Sequence, residues 1–373
     1  MKNLNKIFFL LSLSAALLTS CGEEVCIPGE GLNELTIKKE AVNPTEITHK
    51  FLKATGEYVV SNGPTIISAD EVYENLSDYL VIDLRSKDLY EEGHVNGALN
   101  VKLDSLVDYM KNNVSANAYK KIVFTCKTGQ TAAFAAGALR TIGYNNVYSM
   151  KYGMNAWSNE NTNYWSDAVS NKFANKLESK NNTKAKAGKF PEIKSERQLA
   201  SSILEERAQT IFNQGFKVAK ISADEVFANP SKFYIINYWP KDRYDAGHIE
   251  GAVQYTPKKD LKLDGALNTL PTDKTIVVYC YTGQNAASTV AYLRMLGYDA
   301  KTIAYGANSF MNSTLVDKGW AGFTSSAVAN AYPMIEGKNP TNAKASNIAT
   351  KAQPTKKKKA VKRKKKAVSG GCG

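Results

Sequence analysis

The body of the chain is a tandem repeat, and this feature limits the possible folds more than any other property of the sequence. Residues 67–72, with the sequence ISADEV, recur unchanged at 221–226. The CKTGQ of residues 126–130 recurs as CYTGQ at 280–284, with the same offset of 154 residues. Because these segments align without a net insertion, the sequence predicts a gene duplication and two domains of one fold.

Each copy alternates short apolar runs with helical patterns. The apolar runs, which are typical of buried strands, are residues 79–83, 121–125 and 147–148. Residues 132–142 are rich in Ala and Leu and precede Gly143, which predicts a helix and its C-terminal end. Further helices are predicted at 198–212 and, less regularly, at 45–60. This alternation predicts an α/β fold in which each copy forms a parallel sheet with helices on both faces.

The composition excludes global disorder and gives no basic face for nucleic acid. Hydrophobic residues make up 43% of the 373 residues, which is enough to build cores. The net charge is +13, but residues 356–366 alone hold nine basic residues and no acidic one. Lys2 and Lys6 lie in a segment that we expect to be removed. The rest of the protein is therefore close to neutral, and no nucleic-acid partner is predicted.

The N-terminus predicts a bacterial lipoprotein signal. The apolar run 7–18 follows two lysines and is shorter than the roughly 20 residues of a membrane-spanning helix. Residues 18–21, LTSC, resemble a lipobox, which implies a lipid on Cys21. The protein would then be anchored in the cell envelope, facing the periplasm or in the outer membrane. The alternative is an ordinary cleaved signal in which Cys21 is incidental.

The repeat and the composition divide the chain into six parts. We expect a signal peptide at 1–20, a tether at 21–44, domains at 45–160 and 197–326, a linker at 161–196 and a disordered lysine-rich tail at 327–373. The charge of the tail predicts attachment to an anionic lipid or polysaccharide surface of the envelope.

Two of the five cysteines occupy equivalent places in the repeat. Cys126 and Cys280 each follow an apolar strand and precede a short loop and a helix. Backbone N–H groups and the helix dipole stabilise an anion at such a place, so the sequence predicts a lowered thiol pKa and a nucleophilic sulfur. A buried structural cysteine at a strand end is the alternative interpretation. No Cys–His metal spacing, phosphate-binding loop or Ser-His-Asp set is visible in the sequence, so neither a metal nor a cofactor is predicted.

The order and spacing of several motifs resemble the rhodanese family. These motifs are VIDLR at 81–85, the Tyr, Gly and His of 90–94 with Gly-Ala-x-Asn at 97–100, CKTGQT at 126–131 and Gly-x-x-x-Trp at 153–157. The resemblance covers about 67–157 and 221–310. It implies a flavodoxin-like domain in each copy and the transfer of sulfane sulfur through a cysteine persulfide. The implied substrates are a small thiosulfate-like anion as donor and a thiol or cyanide as acceptor. With this chemistry, Cys372 near the end of the tail is a candidate either to accept sulfur from Cys126 or to form a covalent link to an envelope partner.

Carrying the family's site over residue by residue defines a candidate site in the first copy. The resemblance makes Cys126 the nucleophile, lets Asp83 order the pocket and lets Arg85 bind the anionic substrate. The loop residues that would contact the substrate are Lys127, Thr128, Gly129, Gln130 and Thr131. The family's Gly-His position implies a structural, hydrogen-bonding role for His94 and His248.

The second copy keeps a candidate catalytic cysteine, Cys280, but differs around it. Asn237, Trp239 and Tyr281 stand where the first copy has Asp, Arg and Lys. Since a thiolate without nearby cations loses substrate attraction and pKa depression, we expect the first copy to be the active one. The six-residue loop, which ends in Thr131 rather than Arg, disfavours the family's phosphatase relatives. The rival hypothesis is a non-catalytic binding or scaffolding lipoprotein that keeps the fold.

Overall fold

The computed structural model describes residues 42–61, 65–158, 163–328 and 330–338. The predicted signal peptide with Cys21, nearly all of the tether, and residues 356–366 with Cys372 lie outside the described residues. Within the described ranges, no helix is both long enough and apolar enough to cross a membrane. The described residues from Asn43 onward belong to one compact unit that contains both copies.

The first copy is a five-stranded parallel sheet with flanking helices. Its elements are α1 (Pro44–Thr55), α2 (Tyr58–Ser61), β1 (Ile66–Ile67), α3 (Ala69–Glu74), β2 (Tyr79–Asp83), α4 (Lys87–Glu92), β3 (Leu99–Asn100), α5 (Leu106–Asn113), β4 (Lys121–Thr125), α6 (Gln130–Thr141) and β5 (Val147–Met150). The strand order is β1-β5-β4-β2-β3. The strands predicted at 79–83 and 121–125 are confirmed residue for residue.

The second copy repeats this topology. The linker first contributes the short strand β6 (Leu177–Glu178). The elements of the second copy are α7 (Ala200–Gln214), β7 (Lys220–Ile221), α8 (Ala223–Ala228), β8 (Tyr234–Asn237), α9 (Lys241–Asp245), β9 (His248–Ile249), β10 (Val253–Gln254), β11 (Ile276–Tyr279), α10 (Gln284–Met295), β12 (Ala300–Ile303) and α11 (Asn308–Asp317). Its parallel sheet has the order β10-β8-β11-β12-β7, which matches the first sheet strand for strand. The predicted α/β class is confirmed.

The repeated ISADEV segment folds in the same way in both copies because it encodes the start of a helix. The hydroxyls of Ser68 and Ser222 accept hydrogen bonds from the backbone N–H groups of Glu71 and Glu225, each at 3.1 Å. A serine at this N-cap position satisfies an otherwise unpaired donor, which is worth about 1 kcal/mol. Each serine therefore marks the point where the first strand of a sheet gives way to α3 or α8.

The two copies pack against each other through α6 and α10. Gly137 lies where these helices touch, since a Cβ added there would lie 2.4 Å from the carbonyl oxygen of Ser288. One apolar core includes residues from both copies, among them Phe134 of α6 and Phe212 of α7, whose ring centroids are 6.2 Å apart. The close contact of the helices also brings together the two cysteine-containing loops that precede them.

The linker that follows the first copy packs on the second copy. The N–H of Ser170 donates to the carbonyl of Asn308 at 2.9 Å, and β6 pairs antiparallel with β9. The ring of Phe173 stacks on Phe227 with a centroid distance of 4.2 Å. The linker is thus an integral part of the second domain over these residues.

A C-terminal strap, residues 330–337, packs on the first copy in the equivalent manner. The ring of Tyr332 stacks on Tyr73 with a centroid distance of 4.2 Å, and Ile335 exchanges backbone hydrogen bonds of 3.0 and 2.9 Å with His94. The expectation that the whole tail is disordered is wrong for this strap. Aromatic stacking and backbone pairing, neither of which its composition reveals, hold it on the domain.

Candidate active site

Cys126 lies where β4 ends and the turn into α6 begins. Its sulfur accepts a hydrogen bond from the N–H of Gly129 at 3.2 Å, and the N–H groups of Thr128 and Ala132 also face it. The helix begins at Gln130, two residues before the predicted start, because Gly129 forms its N-cap with a left-handed φ of +81°. Several backbone donors therefore converge on one buried sulfur.

Burial decides the protonation of the two thiols. Cys126 is 6% exposed and Cys280 is 3% exposed. Burial raises the pKa of the Cys126 thiol above its ordinary value; the backbone N–H groups oppose this rise, and the charge of Asp83 adds to it. Burial likewise raises the pKa of the Cys280 thiol against the N–H groups of its loop. The predicted lowering of the pKa is therefore wrong, because the lost hydration outweighs the backbone donors.

Asp83 and Arg85 form a buried ion pair beside the loop. The guanidinium of Arg85 donates to the carboxylate of Asp83 at 2.9 Å through Nε and at 2.6 Å through Nη2, which also donates to the carbonyl of Gly93 at 2.6 Å. The side chain of Arg85 is 9% exposed and that of Asp83 is fully buried. The charge of Arg85 is thus engaged within the protein, and its predicted contact with an anionic substrate stays a prediction.

Lys127 is the basic residue of the loop and its side chain is exposed. Its ammonium group lies 5.1 Å from the centroid of the Tyr164 ring. The next residue, Thr128, is held by the linker, because its carbonyl accepts a hydrogen bond from Nε1 of Trp165 at 3.2 Å. Thr131 lies half-buried in the first turn of α6. Among the loop residues that were predicted to contact the substrate, Lys127 carries a charge, and this charge faces solvent.

Sequence reasoning missed two aromatic residues that border the loop. Trp165 from the linker is fully buried and lies edge-to-face with Tyr152 and with Tyr305, at centroid distances of 4.9 and 5.0 Å. Tyr305 comes from the second copy, and its N–H donates to Oε1 of Gln130 at 2.7 Å. The sequence shows Trp165 only as a tryptophan in a polar linker, and this does not reveal which residues it contacts. The Cys126 loop is therefore bordered by the linker and by the second copy.

The equivalent loop of the second copy is bordered by packed aromatic rings. The sulfur of Cys280 faces the N–H of Ala286 at 3.4 Å. Trp239, at the position of the first copy's arginine, stacks on Tyr281 with a centroid distance of 4.8 Å. Arg243 of α9, which the sequence comparison of the copies missed, donates to the hydroxyl of Tyr281 at 2.7 Å. The second copy thus keeps a sulfur among N–H groups but replaces the buried ion pair.

His94 and His248 have the structural role that the sequence predicts. Each ring stacks on the tyrosine four residues earlier, with centroid distances of 3.7 Å. Nδ1 of each lies within hydrogen-bond distance of that tyrosine's carbonyl, at 2.7 and 2.8 Å. In the part of the chain that the structure describes, no group of three His, Cys, Asp or Glu side chains is arranged to hold a metal ion.

A model of the Rhodanese-like domain family matches residues 68–160 and 223–325, which is more than half of the chain. The chain belongs to the rhodanese family. This rhodanese is 39% identical to a tRNA sulfurtransferase of Thermoplasma volcanium over 106 residues, which cover 28% of the chain and 21% of that protein. It is 31% identical to the thiosulfate sulfurtransferase GlpE of Pseudomonas entomophila over 78 residues, which cover 21% of the chain and 69% of that protein.

Solved structures of similar proteins include a rhodanese-related protein of Thermoplasma volcanium. It is 26% identical and has a TM-score of 0.23, with 26% of this chain and 92% of that chain covered. The 3-mercaptopyruvate sulfotransferase SseA of Escherichia coli is 18% identical and has a TM-score of 0.24, with 65% of this chain and 100% of that chain covered. The rhodanese spans about a fifth of the length of the tRNA sulfurtransferase. The predicted family and the two rhodanese-like domains are confirmed by the two family matches.

Proposed function

We propose that this rhodanese is a sulfurtransferase in which Cys126 carries sulfane sulfur as a persulfide. The observation that supports the proposal is the convergence of backbone N–H groups on the Cys126 sulfur, with that of Gly129 at 3.2 Å. Preorganised backbone donors stabilise an anionic sulfur without needing a charged side chain. The sulfurtransferase relatives point to the same chemistry.

The proposed transfer has two balanced steps. The thiolate of Cys126 attacks the outer sulfur of a thiosulfate-like donor, so that a new S–S bond forms while the donor's S–S bond breaks and its electron pair leaves with sulfite. A thiolate or cyanide acceptor then attacks the terminal sulfur, and the persulfide bond breaks to return the Cys126 thiolate. Since burial raises the pKa of the thiol, the reacting thiolate is a minor species at neutral pH, and the first step should accelerate as the pH rises.

The surroundings of the two cysteines favour the first copy as the site of transfer. Lys127 offers an exposed cation beside Cys126, whereas Tyr281 occupies the same position beside Cys280 and is stacked on Trp239. An exposed cation attracts an anionic donor and favours the thiolate that attacks it. We therefore propose that Cys126 performs most of the transfer.

Mass analysis after incubation with thiosulfate under non-reducing conditions tests the proposal. The peptide that contains Cys126 should gain the mass of one sulfur atom and lose it again when cyanide is added. Cys126→Ser should abolish most thiosulfate:cyanide sulfur transfer, and the matched variant Cys280→Ser should retain most of it. Equal losses in the two variants would contradict the proposed asymmetry between the copies.

The non-catalytic alternative is supported by the engagement of Arg85 with Asp83 and Gly93 rather than with solvent. If this alternative holds, no cysteine of the protein gains sulfur at any donor concentration or pH, although the domains are folded. Loading with an organic thiosulfonate but not with thiosulfate would instead keep the sulfurtransferase proposal and reject thiosulfate as the donor.

For the position of the protein in the cell, we propose an envelope lipoprotein anchored through Cys21. The proposal is supported by the LTSC motif at 18–21 and by the basic residues at 356–366, which would add attraction to an anionic surface. The native protein expressed in a bacterial envelope should partition into detergent and begin at an acylated Cys21. A soluble wild-type product that is cleaved elsewhere, with Cys21 unmodified, would contradict anchoring.

A further inference from the structure

Gln284, in the first turn of α10, reaches across the interface to the Cys126 loop of the other copy. The residue is fully buried. Its Oε1 accepts a hydrogen bond from the N–H of Tyr152 at 3.1 Å, and its Nε2 donates to the carbonyls of Gly129 and Met150 at 3.2 Å each. Both polar atoms of this second-copy side chain are therefore engaged with the backbone of the first copy.

Gly129 is the residue of the loop that contacts both the Cys126 sulfur, through its N–H, and Gln284, through its carbonyl, which also accepts from the N–H of Ala133 at 3.0 Å. The φ of Gly129 is left-handed, a conformation that glycine adopts readily because it has no Cβ. A Cβ on Gly129 would lie 2.4 Å from Nε2 of Gln284 and 2.7 Å from the carbonyl oxygen of Met150. The glycine thus provides the space through which Gln284 reaches its carbonyl.

The reciprocal contact is smaller. Oε1 of Gln130 accepts from the N–H of Tyr305 at 2.7 Å, but its Nε2 turns back to the hydroxyl of Thr128 in its own loop at 3.2 Å. Gln130 therefore holds the backbone of the second copy at one point, whereas Gln284 holds that of the first copy at three. Gln284 thus contacts the Cys126 loop itself, at Gly129, whereas Gln130 contacts the second copy at Tyr305, outside the Cys280 loop.

We propose that Gln284 is a positioning residue for the sulfur chemistry of Cys126. By fixing the Gly129 carbonyl from the second copy, it keeps the loop N–H groups directed at the sulfur. The effect of Gln284 on sulfur transfer rests on the proposed function. Its effect on the reactivity of the Cys126 thiol does not. The second copy thereby contributes to the site of the first whether or not Cys280 reacts.

The test compares the pH dependence of Cys126 alkylation by iodoacetamide in the full chain with that of Gln284→Met. Methionine matches the shape of glutamine but cannot make its N–H donations. We expect the pH–rate profile to move upward by about one unit, which makes alkylation about tenfold slower below the thiol pKa. Peptide mass assigns the label to Cys126. The charged and titratable groups near the sulfur, which include Asp83, Tyr305 and the neighbouring Lys127, are unchanged in the variant.

The matched control is Asn285→Ala, which alters an exposed side chain in the same turn of α10 and should keep the parental profile. A parental profile in Gln284→Met, with an unchanged melting temperature, overturns the proposal. If Gln284→Met does not fold, Gln284→Asn replaces it, since its side chain is uncharged but one methylene shorter and loses its reach to the Gly129 carbonyl, and the same shift is expected. A shifted profile in a protein that never gains sulfur supports the role of Gln284 and rejects the persulfide chemistry.

Discussion

Replacing Gly137 by Ala sets helix propensity against helix packing at the contact between α6 and α10. Gly137 lies inside α6, where alanine would stabilise an isolated helix by about 0.5–1 kcal/mol. In this protein the added Cβ would lie 2.4 Å from the carbonyl oxygen and 2.8 Å from the Cα of Ser288. Both are backbone atoms, so no side-chain rotation relieves the overlap. The helices would have to separate by about 1 Å to restore an ordinary contact of about 3.5 Å.

The packing term should decide the sign of the change in stability. Forcing an extra carbon into a close-packed contact costs about 1–3 kcal/mol, and the overlap with backbone atoms places this contact at about 2–3 kcal/mol, which exceeds the propensity gain. We expect Gly137→Ala to lower the free energy of unfolding by about 1–2 kcal/mol. With a urea slope of about 3 kcal/mol per molar, the midpoint of unfolding falls by about 0.3–0.7 M. Because α6 begins at Gln130 and α10 at Gln284, the separation should also slow the alkylation of Cys126.

Urea unfolding followed by circular dichroism measures the stability change. A second substitution, Ser288→Gly, removes the hydroxyl that would lie 2.8 Å from the added Cβ but leaves the carbonyl at 2.4 Å. The double variant should therefore regain little of the lost stability. A Gly137→Ala protein with a midpoint equal to or above that of the parent would refute the reasoning, because propensity would then outweigh the contact.

Three further predictions follow from the site and from the strap. Because burial raises the pKa of the Cys126 thiol, less thiolate is present at a given pH, and the rate of alkylation should still be rising at about pH 8.5; a plateau below about pH 8 would contradict this. Lys127→Ala should weaken thiosulfate use by up to about fivefold at low salt, as expected for one exposed charge, and an undiminished rate would show that this cation does not meet the donor. Tyr332→Ala should reduce the free energy of unfolding by about 1–3 kcal/mol through the loss of its ring contacts with Tyr73 and Trp157, and a parental value in urea unfolding would contradict this.

The sequence allows the strands to be predicted well because their signal is local. Buried parallel strands are short apolar runs, and residues 79–83 show such a run without interruption. The start of α6 was predicted two residues late, because its N-cap is a left-handed glycine rather than a serine or aspartate. The strap at 330–337 was missed entirely, since its order comes from pairing with His94 and stacking on Tyr73, which are distant in sequence.

In the candidate site, too, the features that depend on neighbouring residues could be predicted, and those that depend on residues distant in sequence could not. The loop chemistry around Cys126 follows from the order strand, loop and helix, and the structure places the N–H of Gly129 on its sulfur. The direction of the pKa shift could not be predicted, because it depends on how completely the fold removes water from the sulfur. Trp165 and Tyr305 could not be assigned to the site, because the linker and the second copy supply them.

The two copies have diverged around their sulfurs while sharing the same glutamine at the interface. The pairs Asp83 and Asn237, and Arg85 and Trp239, differ completely in charge, whereas the Gln of both CxTGQ loops is identical. If each glutamine acted only within its own copy, there would be no reason for it to stay the same while the charged residues around it changed. Gln284, however, contacts the other copy's loop at Gly129, so its loss would affect the loop that holds the Cys126 sulfur, whereas Gln130 contacts the other copy at Tyr305. The division of roles that we propose is therefore between a first copy that presents the reactive sulfur and a second copy that fixes the loop around it.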